Sequence, residues 1–317
     1  MNDKKWYSNQ FKNRKTYLKN NYYLNKNRNK AEIIISIPKK IKCSLSVSIK
    51  PHGDLEDHHI PFNLLPSLQV KIKDGHIFGI TNFLLLKPKT RLSIDSEIFA
   101  TAIIKELDLL APRTTRAIIN YNDTRQNYIF QEKIVKEFLE INNFKEGEII
   151  SFDDRFNYTE DVDIINNSQY KLVNNKWAKK NNILSFRNNI EVLNAVRHNH
   201  KYIDGGPDDL YSTAKNFNLA FMFEQFPKFS AIMTAINADH GLSIDDRKFY
   251  FDSLSNRYIP IYYDGLSYLF LEDNIRKPVL DSAVLGAKVA LNKFETINKI
   301  DFIKKLQRLG IKKNYDE

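Results

Sequence analysis

Three groups of acids lie close together in the C-terminal third of the chain: Asn237-Ala238-Asp239-His240-Gly241, Asp245-Asp246-Arg247 and Asp264-Gly265. Between the second and third run two strand-like stretches, Lys248–Asp252 and Tyr258–Tyr263, joined by a turn at Leu254–Asn256. One β-hairpin thus carries acids on both sides. Carboxylates gathered in this way repel one another, and a divalent cation relieves the repulsion. Mg²⁺ in phosphoryl transfer is held by one or two carboxylates together with the phosphates of a nucleotide. A further carboxylate beside an acceptor hydroxyl can orient it and take its proton. Asp-Gly and Asp-Asp are also ordinary turn chemistry, so residue types alone leave a metal site and a plain turn both open.

Other residues offer less. His52, Asp54, Asp57, His58 and His59 have the chemistry of metal ligands, but no second His or Cys pair at helical spacing supports zinc. An exposed or phosphate-proximal turn is the simpler reading. His198 and His200 fall at the end of a predicted helix, where cations suit the dipole. His240, beside Asp239, could shuttle a proton or simply pack. Gly205-Gly206-Pro207 reads as a flexible turn. Phe217, Phe221, Phe223 and Phe226 are expected in the core. No Walker loop, Rossmann fingerprint or Gly-x-Ser-x-Gly elbow is present.

The elements that must position these residues follow from periodicity. Glu32–Ile37 and Ser44–Lys50 read as strands. In Leu68–Lys73, Leu68, Val70 and Ile72 share one face, and Gln69, Lys71 and Lys73 the other. Asp74-Gly75 is a hairpin turn with a return strand over Ile77–Leu86. Ser93–Leu110 switches to helical period, with Ser93 as N-cap and Pro112 beyond its end. Thr114–Tyr121 and Gln126–Phe130 pair across Asn122-Asp123, and Ile134–Asn142 is helical. Residues 148–189 are polar and weakly patterned and read as a linker or loop, with a strand over Tyr170–Trp177. Helices are predicted over Ile190–His200, Leu210–Phe223, Phe229–Ala238 and twice more from Asp281 onward. The order predicts an α+β chain: a basic arm, residues 1–30; a β-rich part with an embedded helix, 31–147; and a mainly helical part, 148–317.

Composition bounds the function class. The chain has 317 residues, 42% of them hydrophobic, which is enough for a sizeable core. Its net charge of +10 resembles a nucleic-acid footprint until it is mapped. Residues 1–30 hold nine Lys or Arg and one acid, a net of +8, and the remaining 287 residues carry 39 basic and 37 acidic side chains. The body is therefore nearly neutral, which disfavours nucleic acid as its ligand. The arm interleaves its cations with Trp6, Tyr7, Phe11, Tyr17, Tyr22 and Tyr23, a pattern that can dock an anionic partner or merely solvate. A single cysteine, Cys43, excludes an internal disulfide framework and fits a reducing compartment. No apolar run approaches the ~18 residues of a membrane span, and no apolar stretch follows the basic start as in a secretory signal. A cytoplasmic protein is expected.

One stretch of the chain resembles a known family. Asn82-Phe83-Leu84-Leu85-Leu86 with Pro88 and Arg91, the helix from Ser96-Glu97-Ile98 to Lys105-Glu106-Leu107-Asp108-Leu109, Ala111-Pro112-Arg113-Thr114, and Phe130-Gln131-Glu132-Lys133 running into Lys136-Glu137-Phe138-Leu139 are similar to the CotH kinases, named for a spore-coat protein kinase. The hairpin from Arg247-Lys248-Phe249-Tyr250-Phe251 to Ile259-Pro260-Ile261-Tyr262-Tyr263-Asp264 resembles that family's C-terminal lobe. The likeness spans roughly 47–265, and its most specific part is the Ala-Pro-Arg-Thr element after a helix.

The resemblance implies a reduced, two-lobed atypical kinase-like fold: a β-rich N-lobe and a mainly helical C-lobe whose β-hairpin bears the metal-site acids. It also implies ATP and Mg²⁺ or Mn²⁺ as cofactors, and a protein or glycan acceptor. Lys71 matches the nucleotide-contacting lysine and Glu97 the glutamate that pairs with it. Glu132 matches a glutamate near the nucleotide. Asp239 matches the catalytic aspartate and Asp264 the metal-binding one. Asp246 stands where the fold often has a metal-binding Asn, which changes the charge of the site. No glycine-rich phosphate loop is visible beyond His52-Gly53-Asp54. Asp108 replaces a common glycine, and Lys73 and Lys87 compete with Lys71. The same fold also accommodates AMP transfer, carboxylate activation or non-catalytic nucleotide binding.

Overall fold

Alternation of apolar side chains decides the first half of the structure, a computed structural model that describes residues 27–37, 41–53, 56–58, 65–121, 124–153, 169–180, 184–198, 207–270 and 279–311. Most of the arm, Asn122-Asp123, Asp54, His59, His200 and Gly205-Gly206 lie outside these residues. The chain is an α+β protein of two compact units, one made of residues 1–90 and 115–133, the other of 91–114 and 134–317.

In the first unit, strands β1 (Asn29–Ile37), β2 (Ile41–Pro51), β3 (Leu68–Ile72), β4 (Asn82–Leu86), β5 (Thr114–Tyr121) and β6 (Thr124–Glu132) form one sheet in the order β1-β2-β3-β4-β6-β5. Val47, Ile49, Leu68, Val70, Ile72, Phe83, Leu85 and Tyr128 bury one face as a single core. Lys71 and Lys73 are exposed as their alternation requires, but Gln69 on the same face is buried. The return strand starts at Asn82 rather than Ile77. After the turn at Gly75 (φ 93°), a second tight turn at Phe78 (φ 51°) and Gly79 (φ 77°) bridges Ile77 to Ile80, and left-handed backbone cannot continue a strand.

In the second unit, helix α1 (Ile94–Glu106) begins where the Ser93 Oγ accepts from the backbone N–H groups of Asp95 and Ser96. It ends at the left-handed Asp108 (φ 55°), short of the expected Leu110. Leu110 instead pairs with the strand leading to Asp264, and the Tyr262 N–H donates to the Leu110 carbonyl over 2.8 Å. Helix α2 (Lys136–Ile141) precedes a second antiparallel sheet of β7 (Glu148–Phe152), β8 (Tyr170–Leu172), β9 (Lys248–Asp252) and β10 (Arg257–Ile261), in the order β10-β9-β7-β8. β7 lies in the stretch expected to be loop, yet all five of its residues are buried. Its short apolar run reads equally as loop or strand until the pairing with β9 decides. Buried Glu148 is satisfied by the Asn189 Nδ2, at 2.7 Å.

Helices α3 (Asn175–Lys180), α4 (Leu184–His198), α5 (Leu210–Asn216), α6 (Phe226–Ala235), α7 (Asp281–Glu295) and α8 (Lys299–Leu309) complete this unit. Phe223, Phe226, Phe229, Phe249 and Tyr258 pack within its main core, the Phe223 and Tyr258 rings stacked. The expected core residues Phe217 and Phe221 are exposed instead, because α5 stops at Asn216 and the following turn faces them outward. No helix among the described residues is long and apolar enough to cross a membrane.

Candidate functional site

The end of α6 and the strand exit after β10 are locked backbone to backbone. Asn237 (φ 50°) turns the chain out of α6, and residues 239–242 form a single tight helical turn. A methyl carbon added at Gly241 would lie 2.9 Å from the Tyr263 carbonyl oxygen and 3.2 Å from the Gly265 Cα. One added at Gly265 would lie 3.0 Å from the Ala238 Cβ. Both glycines are therefore needed for the close approach. The Ser267 hydroxyl donates to the Ile236 carbonyl at 2.6 Å, and the Tyr268 N–H donates to the Asn237 carbonyl at 3.1 Å, fastening the two segments on either side. This places the Asp239-His240-Gly241 turn directly against Tyr263-Asp264-Gly265. Asp239 is buried, and the Thr234 hydroxyl lies 3.3 Å from its Oδ1. Asp264 has a left-handed backbone (φ 46°), a strained conformation for a residue with a side chain.

Asp264 is anchored from the start of α1. The buried guanidinium of Arg91 places Nη1 2.9 Å from the Asp264 Oδ2, and its Nε lies 3.9 Å from the Glu97 Oε1. The Tyr262 hydroxyl donates to the other oxygen of Glu97 at 2.8 Å. Burial acts to lower the Arg91 pKa, but the charges of Asp264 and Glu97 outweigh it and hold it above the ordinary value. Burial, then the Glu97 charge, pushes the Tyr262 hydroxyl well above its usual range. Arg91 also stacks toward the Tyr263 ring, over which the Lys248 Nζ sits at 3.6 Å from the centroid.

A second acid joins this group through His240. The His240 Nε2 lies 2.8 Å from the Asp246 Oδ2, and the Ser243 hydroxyl donates to the Asp245 Oδ1 at 2.6 Å. Burial, followed by the like charges of Asp264 and Asp245, raises Asp246 to about 6 despite the His240 hydrogen bond. Burial works against a charged His240 ring, but the hydrogen bond and charge of Asp246, with Asp264 and Asp245 behind it, hold its pKa above the usual value.

Asp239, Asp246 and Asp264 thus share one neighbourhood, with Glu97 reached through Arg91. Among the described residues no group of three or more His, Cys, Asp or Glu side chains gathers in a cation-holding arrangement. Two mutually repelling carboxylates, Asp246 and Asp264, still fit the protein's share of a Mg²⁺ site whose other ligands are phosphates.

Lys71 and Glu132, which the resemblance gives to the nucleotide, lie in the first unit. Register places Lys71 opposite Ser48 and Asn82, whereas Glu132 is opposite Phe83, which is itself opposite Val70. Lys71 and Glu132 therefore point to opposite faces of the same sheet. Gln131, not Glu132, shares the face of Lys71. Of the three candidate lysines, Lys71 and Lys73 are exposed and Lys87 is buried. Near β2, the ring of His58 packs where a Gly53 side chain would be, and His52 meets it edge-on at 5.6 Å.

Sequence reasoning gave no site role to Arg91, Tyr262 or Lys248. An arginine two residues before a helix N-cap was the available signal, but nothing local marks it as buried. A scan against models of known protein families and a search of curated protein sequences each find no match.

Proposed function

We propose that the chain is a CotH-like atypical kinase, transferring the γ-phosphate of ATP to a hydroxyl on a protein or glycan acceptor. The observation that carries this reading is the backbone-to-backbone seating of the Asp239–Gly241 turn on Tyr263–Gly265, with Asp246 close enough to feel the charge of Asp264. That seating supports giving Asp239 to the acceptor and Asp246 and Asp264 to a cation, all three within one unit. Asp239 orients the acceptor hydroxyl and takes its proton. Asp264 and Asp246 would hold Mg²⁺ or Mn²⁺, which would supply charge neutralisation on the transferring phosphoryl group.

A second reading rests on Arg91. Its guanidinium already bonds the Asp264 Oδ2, which suits a nucleotide-binding protein that needs no full metal shell. Incubation with ATP and Mn²⁺, followed by mass spectrometry of the protein and candidate acceptors, separates the readings. A phosphate adduct lost in Asp264→Asn supports the kinase. An adenylate adduct means AMP transfer on the same fold. Thermal stabilisation by ATP with no adduct means a non-catalytic binder, and no stabilisation at all rejects nucleotide binding.

A further inference from the structure

Helix α7 is held to its unit by a narrow seam and leaves a patterned apolar face open. On the seam, a methyl carbon at Gly286 would lie 2.0 Å from the Pro227 carbonyl oxygen, so the helix rests directly on the backbone at the start of α6. Away from it, Val284, Leu285, Val289, Leu291 and Phe294 are 65%, 59%, 57%, 56% and 43% exposed. Single exposed apolar residues are ordinary, but a stripe of them along one helix marks an interaction surface. Val284, Ala287, Leu291 and Phe294 repeat with the 3-4-3 spacing of the a and d positions of a coiled coil.

The charges beside that stripe say what covers it. Lys288 and Glu295 each follow an a position by four residues, so both occupy e positions. Both are exposed, and neither forms an ion pair among the described residues. Helices packed antiparallel about a two-fold axis bring e positions of one helix to e positions of the other. An axis passing between Leu291 and Asn292 sets Lys288 of each copy against Glu295 of its mate, making two ion pairs. A parallel pair would set these charges against Ala283 and Ala290, with no complement. One cation and one anion leave the face nearly neutral, so an anionic membrane or nucleic acid gains little from it.

We infer that α7 is the contact helix of a homodimer, packed antiparallel against α7 of a second copy. The interface is isologous, as a two-fold dimer requires. The test is sedimentation equilibrium of the full chain from about 1 to 100 µM, which brackets common homodimer affinities. Wild type should dimerise, and Leu291→Asp should be monomeric with an unchanged far-UV circular dichroism spectrum. Lys288→Glu sets like charges together twice and should weaken the dimer roughly tenfold. Lys288→Glu combined with Glu295→Lys should restore it. A wild type that stays monomeric overturns the proposal, as does a charge reversal that does not rescue. A monomer that dimerises only after residues 1–26 are removed also overturns it, by assigning the face to that segment.

Discussion

Arg91 and Asp264 form a 2.9 Å ion pair whose cationic side is almost wholly buried, and whose anionic side is one-fifth exposed. The same guanidinium lies beside Glu97, so one cation neutralises two acids from opposite ends of the unit's sequence. Such a cluster is stable only while complete, because removing the cation leaves carboxylates buried and unpaired.

Arg91→Met should therefore lower unfolding free energy by about 3–5 kcal/mol. Urea denaturation followed by circular dichroism measures it. Arg91→Lys should lose less, since the charge remains while the forked geometry is lost. Equal stability of wild type and Arg91→Met would show that the pair holds nothing together.

Tyr262→Phe keeps the ring and deletes only the donor to Glu97. A buried carboxylate oxygen left without this donor should cost about 1–3 kcal/mol. Combining it with Glu97→Gln in a double-mutant cycle should give a loss smaller than the sum, because both changes break one bond.

Gly241→Ala tests the seating of the two segments. The added methyl meets backbone atoms of Tyr263 and Gly265, which cannot rotate away. Overpacking of this kind costs about 1–3 kcal/mol. Phosphate or nucleotide turnover should fall further than stability does, since Asp239 and Asp264 are moved apart.

The His240–Asp246 pair predicts an unusual pH profile. Asp246 titrates near 6 in the folded chain, above its ordinary value of 3.8, and His240 is also raised above 6.5. The folded state therefore binds these protons more tightly than the unfolded one. The Asp246 share is complete below pH ~4 and is lost as pH rises from 4 to 6, and the His240 share is lost above pH 6.5 as pH rises through its raised value. Stability measured by urea unfolding in a chelating buffer should accordingly fall across that window. Asp246→Asn should flatten the limb below pH 6. An unchanged slope in that variant would mean that Asp246 is not the group responsible.

Much of the frame was legible from local pattern. Leu68, Val70 and Ile72 announced the core face of β3, Ser93 announced the start of α1, and the Leu254–Asn256 turn announced the β9–β10 hairpin. These depend on periodicity and capping, which are written within a few residues. β7 was not legible, because a five-residue apolar run becomes a strand only when β8 and β9 flank it. Phe217 and Phe221 were misjudged for a related reason: composition suggests burial, but the helix end decides which way a side chain faces.

For the site, the sequence by itself determined the residue types: three acids around one hairpin, a histidine beside the first, and glycines after Asp264 and His240. It could not say which of them meet. Tertiary structure decided that Gly241 seats on residues 263–265, that Arg91 from before α1 reaches Asp264, and that strand register sends Lys71 and Glu132 to opposite faces of their sheet. The physical reason is range. Propensity and periodicity act over one or two turns, whereas an ion pair between residues 91 and 264 exists only once burial has removed the water that would otherwise solvate both charges.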